Sequence, residues 1–283
     1  MKKSLATRRL STPFTLVELL VVAVIIALLA SALLGGVIRA RNLGKRTSCV
    51  SNLDQLMKAN HLYGLDYKCY VPGRPDGVTV TGTRWNGGRE LQTEPWDTTK
   101  GIMYGYIQKN VKAAECPLKE MELSKATVSG VSYANFGSYG YNISGVGSLA
   151  YVNGYRSGSE AVTFPSGMRP EHIALPSQTV VFADAGHLRD GQVLECDEIT
   201  PPFSLFEATP EKLKTKKPTI SQIGSTMHFR HLDKADVAWV DGHVTPEQMA
   251  WSSDEARRSK GLGGVGPLDN SYYDPWSDDI TTE

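Results

Sequence analysis

The sequence predicts an α+β protein, a long amino-terminal helix packed on a globular domain of antiparallel sheet. Three observations carry that expectation. An apolar run extends from Leu19 to Ile38, an amphipathic stretch continues it to about Asp66, and short extended pieces punctuated by Gly, Pro and Asp-Gly follow. A length of 283 residues suits one sizeable domain with an appendage or two small domains. The 30 basic and 30 acidic side chains balance, so no overall field points to nucleic acid. Gly (27) and Tyr (12) crowd the middle of the chain, as in a loop-rich β domain.

The first element is the apolar run, broken only by Ser31, Gly35 and Gly36. Twenty helical residues at about 1.5 Å each cover roughly 30 Å, enough to cross a hydrocarbon core. Lys2, Lys3, Arg8 and Arg9 precede it and favour a cytoplasmic start. Arg39, Arg41, Lys45 and Arg46 on the far side blur that asymmetry. Glu18 stands at the edge of the run, where a carboxylate needs a partner or a purpose. A cleavable secretory signal is the competing expectation, because Ala30-Ser31-Ala32 resembles a small-x-small cleavage site. Against it, Glu18 is foreign to such signals and the apolar pattern continues past Ala32 through Leu33, Leu34, Val37 and Ile38.

The second element begins near residue 39. Leu43, Val50, Leu53, Leu56, Met57, Leu62 and Tyr63 recur at mostly three- and four-residue steps among polar neighbours, which predicts a helix with one apolar stripe. Joined to the first, it gives one helix from about Thr15 to about Asp66, ending before Pro72. Past residue 70, segment 72–100 reads as loop with one strand, and Gly- and Tyr-dense 130–158 as strands with exposed turns. Gln178–Ala183 is a buried-strand candidate. ADVAWV from Ala235 turns through Asp241-Gly242 into His243-Val244-Thr245, a hairpin expected to use a two-residue turn.

The stretch Phe14-Thr15-Leu16-Val17-Glu18-Leu19-Leu20-Val21-Val22 resembles the processing signal of type IV prepilins and type II secretion pseudopilins. The likeness is close over about thirty residues. It implies a pilin-like fold, a basic leader over 1–13, and cutting between Pro13 and Phe14 by a membrane-embedded prepilin peptidase that then methylates the new amine. The helix would divide into a transmembrane, assembling half (14–38) and an amphipathic half (39–68). Glu18 would pair in the fibre with the amine of a neighbouring subunit and be satisfied only there. The family normally has Gly before the cut; Pro13 fixes φ and lacks an N–H, so either the peptidase accepts it or the chain stays uncut and anchored.

A second resemblance lies near the carboxyl end. His231, nine intervening residues, then Asp241-Gly242 is similar to the His-x9-Asp-Gly element of a prepilin-like subfamily of planctomycetes and verrucomicrobia. Ser48–Leu53, Glu115-Cys116-Pro117 and Pro176–Asp184 fit the same subfamily loosely. The resemblance implies a non-enzymatic subunit of a secretion pseudopilus or pilus-like fibre. It would be a single-pass protein of the bacterial inner membrane with a periplasmic domain over 69–251. Its partners would be copies of itself or related pilins and the inner-membrane assembly platform. The other class is an exported binding module, carbohydrate-directed through Trp85, Trp96 and the Tyr-rich middle, released by signal cleavage.

Enzyme motifs do not stand out: there is no HExxH, no phosphate-cradling Gly loop and no nucleophile with an evident base. His228, His231 and His243 with Asp184 and Asp241 are a conceivable zinc set. The favoured reading gives His231 a structural hydrogen bond across the hairpin turn, and no cofactor is expected. Asp269, Asp274, Asp278 and Asp279 gather in the Gly-rich, acidic segment 252–283, expected to be a flexible tail. Calcium suits such oxygen clusters, and secretion pseudopilins hold it in a carboxyl-terminal loop; a solvated acidic tail is the alternative. Cys49, Cys69, Cys116 and Cys196 form no CxxC pair. A Cys69–Cys116 bridge would tie the helix end to the domain, and buried free thiols are the other expectation.

Overall fold

In the computed structural model, residues 15–75, 81–118, 123–147, 167–202, 224 and 226–275 are described. Two compact units divide the chain, Met1–Gly44 and Lys45–Glu283. Helix α1 spans Leu16–Tyr67, within a residue of the expected limits. The strands are β1 (Gly82–Arg84), β2 (Gly87–Arg89), β3 (Thr127–Val128), β4 (Val131–Ser132), β5 (Tyr139–Tyr141), β6 (Val180–Asp184), β7 (His187–Arg189), β8 (Gln192–Leu194), β9 (Met227–His228), β10 (Lys234–Trp239) and β11 (Val244–Gln248). A short helix α2 (Glu255–Arg258) and strand β12 (Leu262–Gly263) complete the order. The layout is broadly α+β.

The main sheet is antiparallel, in the order β11-β10-β6-β5. Both faces of its central strands are buried, and β10 shows why. Ala238 and Val240 belong to the cluster that includes Leu53, Leu56 and Met57 of α1. Ala235, Val237 and Trp239 alternate to the opposite cluster, with Met227, Trp251, Val265 and Tyr273. Pro246 costs no ladder bond that matters, because β11 is an edge strand.

The second half of α1 buries a stripe of Cys49, Leu53, Leu56, Met57, Asn60 and Tyr63. Leu43 and Leu62, expected on that stripe, are exposed. Leu62 is nine residues from Leu53, about half a turn away at 3.6 residues per turn, so it lies on the opposite face. Polar clamps fix the register. Val71 N donates to Asn60 Oδ1 (2.9 Å), Asn52 Nδ2 to Glu115 O (3.0 Å), and His61 Nε2 meets Val240 O (2.9 Å).

Three further expectations are corrected. Segment 72–100 holds two strands, β1 and β2, joined as a hairpin. Of the Tyr-rich middle, the described residues from 136 to 147 are interior: Tyr139 and Tyr141 are fully buried, and Tyr141 Oη donates to Val71 O (2.7 Å). The segment expected to be a loose tail from residue 252 is folded as far as Pro275. Leu262, Val265 and Tyr273 are buried, and Val180 N donates to Tyr272 O (2.8 Å). Its Gly residues permit close packing, since a Cβ on Gly264 would meet the Trp251 ring at 2.1 Å.

Candidate functional site: the helix start and a buried cysteine-histidine centre

Helix α1 opens with a reciprocal cap. Thr15 N and Thr15 Oγ1 each donate to Glu18 Oε2 at 2.8 Å, and Glu18 N donates to Thr15 Oγ1 at 3.3 Å. This is a capping box, in which the first helical donors and the third-position carboxylate satisfy one another. The expectation that Glu18 is satisfied only in a polymer is thereby corrected: it has a partner in its own chain. Thr15-Leu16-Val17-Glu18 carried that signal, hidden by the apolar setting. From Leu16 to Leu33 the large apolar side chains are exposed, Leu16 by 78%. Ser31 is accommodated by donating to Leu28 O (2.8 Å). Among the described residues α1 is the one helix long and apolar enough to cross a membrane. Pro13 and Phe14 lie outside the described residues.

The second centre is buried and was not foreseen as a unit. Cys49 comes from α1, Cys116 from the loop after the 3-10 turn Val111–Ala114, Asp184 from the end of β6, and His231 from the turn before β10. Their ligand atoms all lie within 4.8 Å of one another. Cys116 Sγ is 2.7 Å from Cys49 Sγ and 3.4 Å from His231 Nε2, which in turn is 3.3 Å from Asp184 Oδ2. Around them, Arg230 Nε approaches Asp184 Oδ1 (3.5 Å), Asp236 N donates to Asp184 Oδ2 (2.8 Å), and Arg46 Nε donates to Asp236 Oδ1 (3.0 Å).

Local geometry explains how His231 arrives there. His231 and Lys234 exchange both backbone bonds (2.9 and 3.3 Å), and Leu232 and Asp233 between them have φ of 54° and 61°. That is a left-handed two-residue turn, costly for residues other than Gly or Asn and concentrated where side-chain placement matters. Leu-Asp is no turn signal, so sequence reasoning missed it. His231 therefore bonds Cys116 and Asp184 and not the distal turn. At that turn, Gly242 N donates to Trp239 O (2.9 Å) and Gly242 has φ +97°, a three-residue loop in place of the expected two-residue one. Asp241 Oδ1 accepts from His243 N (3.2 Å) and contacts the His243 ring.

Electrostatics follow burial and neighbours. Burial lowers His231, but Asp184 and Cys116 outweigh it and raise its pKa to about 10. Asp184 is held below the usual carboxylate range; burial opposes this and Arg230 and His231 prevail. Burial and Asp184 raise Asp236. Burial and Arg230 push His228 down to about 3, so it stays neutral, and its Nε2 faces Lys260 O at 3.2 Å. His228 borders a cleft of about 720 Å³ that also touches Arg230, Asp233 and Lys260.

No family model, curated protein or solved structure matches this chain. The residues themselves therefore carry the reading. By donor type, Cys49, Cys116, Asp184 and His231 fit zinc, a set that shares only Asp184 and His231 with the one conceivable from the sequence. By distance the two sulfurs do not fit: zinc with Zn–S of about 2.3 Å spreads a tetrahedral sulfur pair to roughly 3.7 Å. The expected Cys69–Cys116 bridge is also corrected, because the sulfur that Cys116 faces is that of Cys49, at 2.7 Å. Of the calcium candidates, Asp269 accepts from Ser271 N (2.9 Å) and Oγ (2.5 Å), and Asp274 is buried. Asp278 and Asp279 lie outside the described residues.

Proposed function

We propose that this chain is a prepilin-like structural subunit, anchored by α1 in the bacterial inner membrane, that assembles into a secretion pseudopilus or pilus-like fibre. The observation that carries this is the division of α1: large apolar side chains exposed along its first half, and one stripe packed into a sheet domain in its second. Exposed apolar surface of that extent calls for lipid or like helices around it. A structural subunit needs no active site, and we assign none. Fibre growth would do the transport, with copies of the chain or related pilins and the assembly platform as partners and prepilin peptidase as a transient one.

Glu18 provides the test, since its two roles separate chemically. Glutamine at the third helical position still completes a capping box but carries no charge. Glu18→Gln is expected to insert normally and to incorporate poorly into fibres, as Glu18→Ala should. Sheared-fibre assays with the membrane fraction as control read the outcome. Wild-type incorporation of Glu18→Gln would reduce the residue to a cap. The mass of the mature amino terminus, expected to begin at Phe14, tests processing past Pro13.

A further inference from the structure

We infer that Cys49 and Cys116 are the two halves of a disulfide that fastens α1 to the sheet domain. Their sulfurs lie 2.7 Å apart. Nonbonded heavy atoms settle at about 3.5–4.0 Å, whereas a disulfide bond is about 2.05 Å long. The pair must therefore close or part. Parting is blocked by packing, as both side chains are buried within the cluster that joins α1 to the sheet. Holding a dication is disfavoured by the sulfur spacing and by the buried Arg230 guanidinium, which already serves Asp184 while donating to Ser138 O (2.9 Å) and Ala185 O (2.6 Å). Cys196 is occupied otherwise, donating to Glu198 O (3.3 Å).

The reaction is a thiol–disulfide exchange. One thiolate attacks the disulfide of a dithiol oxidoreductase, forming a mixed disulfide, and the second thiolate displaces it. Two protons leave the cysteines, and two electrons reduce the donor to its dithiol. Both sulfurs are enclosed in the finished fold, so exchange precedes the closing of α1 on the sheet. Once the bond forms, His231 keeps Asp184 as its partner at 3.3 Å. The two cysteines are 67 positions apart, a long loop whose closure restricts the unfolded chain strongly. The inference uses the export reading above only for the oxidising compartment; the geometry stands without it.

The test uses the full chain purified in detergent, unfolded and refolded in a glutathione redox buffer, followed by alkylation of free thiols in denaturant, since all four cysteines are buried, and peptide mapping without reduction. We expect one linked peptide pair, Cys49 with Cys116, and alkylated Cys69 and Cys196. Reduction of the wild type should lower its melting temperature by on the order of 10 °C, with no such shift in Cys49→Ser or Cys116→Ser. If these variants fail to fold, the oxidised and reduced wild type still decide the matter. Four alkylated thiols under oxidising buffer would overturn the inference, as would stoichiometric zinc by elemental analysis with thiols released by a chelator. Export is read separately by protease access in spheroplasts, so its failure leaves the glutathione result standing.

Discussion

At the scale of single residues, Asp184 is the hinge of the buried centre. It receives His231, Arg230 and the Asp236 amide, while its own carboxylate is fully buried. Removing one member of such a set leaves the others charged and unpaired, which costs more than the pair itself contributed. Asp184→Asn is therefore expected to destabilise the protein by about 3–5 kcal/mol at pH 7, measured by denaturant unfolding. The pH dependence has a definite sign. Because the folded pKa of Asp184 lies below its unfolded value, its contribution is present above that unfolded value, about 3.9, and is lost as pH falls through the lowered folded value. The gap between wild type and Asp184→Asn should therefore narrow on acidification, and a gap independent of pH would contradict the assignment. The side chains of this centre were legible one by one, but their meeting was not. Asp184 and His231 were visible as a remote zinc set with the wrong companions, His243 and Asp241, which stay together at the far end of β10.

At the scale of elements, α1 shows how two environments are written on one helix. Its first half needs no specific face, so composition alone announced it. Its second half is read by periodicity, and there the apolar residues outnumber the face that is used. Leu53→Ala and Leu56→Ala, both in the core, are expected to cost about 2–5 kcal/mol each. Leu62→Ala, half exposed, should change stability by no more than about 0.5 kcal/mol. Urea titrations of the full chain in detergent check the contrast, and equal losses would mean that the face has been misread. Strand β6 was found from its continuous apolar run because both of its faces are buried. Strands β1 and β2, three residues each, carry too short a pattern to show a period.

At the scale of the whole molecule, the carboxyl-terminal segment is what turns a one-faced sheet into a two-faced one. Tyr273 is fully buried, its Oη lies against Val265 N (3.3 Å) and Met227 Sδ (3.7 Å), and Asn142 Nδ2 donates to its carbonyl (2.8 Å). Ending the chain after Trp251 would expose Val237, Met227 and Phe229, so the truncated protein should aggregate or bind a hydrophobic dye. Cooperative unfolding of the truncated chain, unchanged from wild type, would show instead that the segment is dispensable. By itself the sequence determined what depends on neighbours along the chain. The membrane-length apolar run, the limits of α1, the strands β6 and β10 and the Asp-Gly turn are all recorded within a few residues of where they act. The tertiary structure alone decided which face of α1 is buried, that residues 252–275 pack against the sheet, and that Cys49, Cys116, Asp184 and His231 share one centre. Those facts join positions far apart in sequence, where no local propensity operates and only the shape of the assembled core selects the partner.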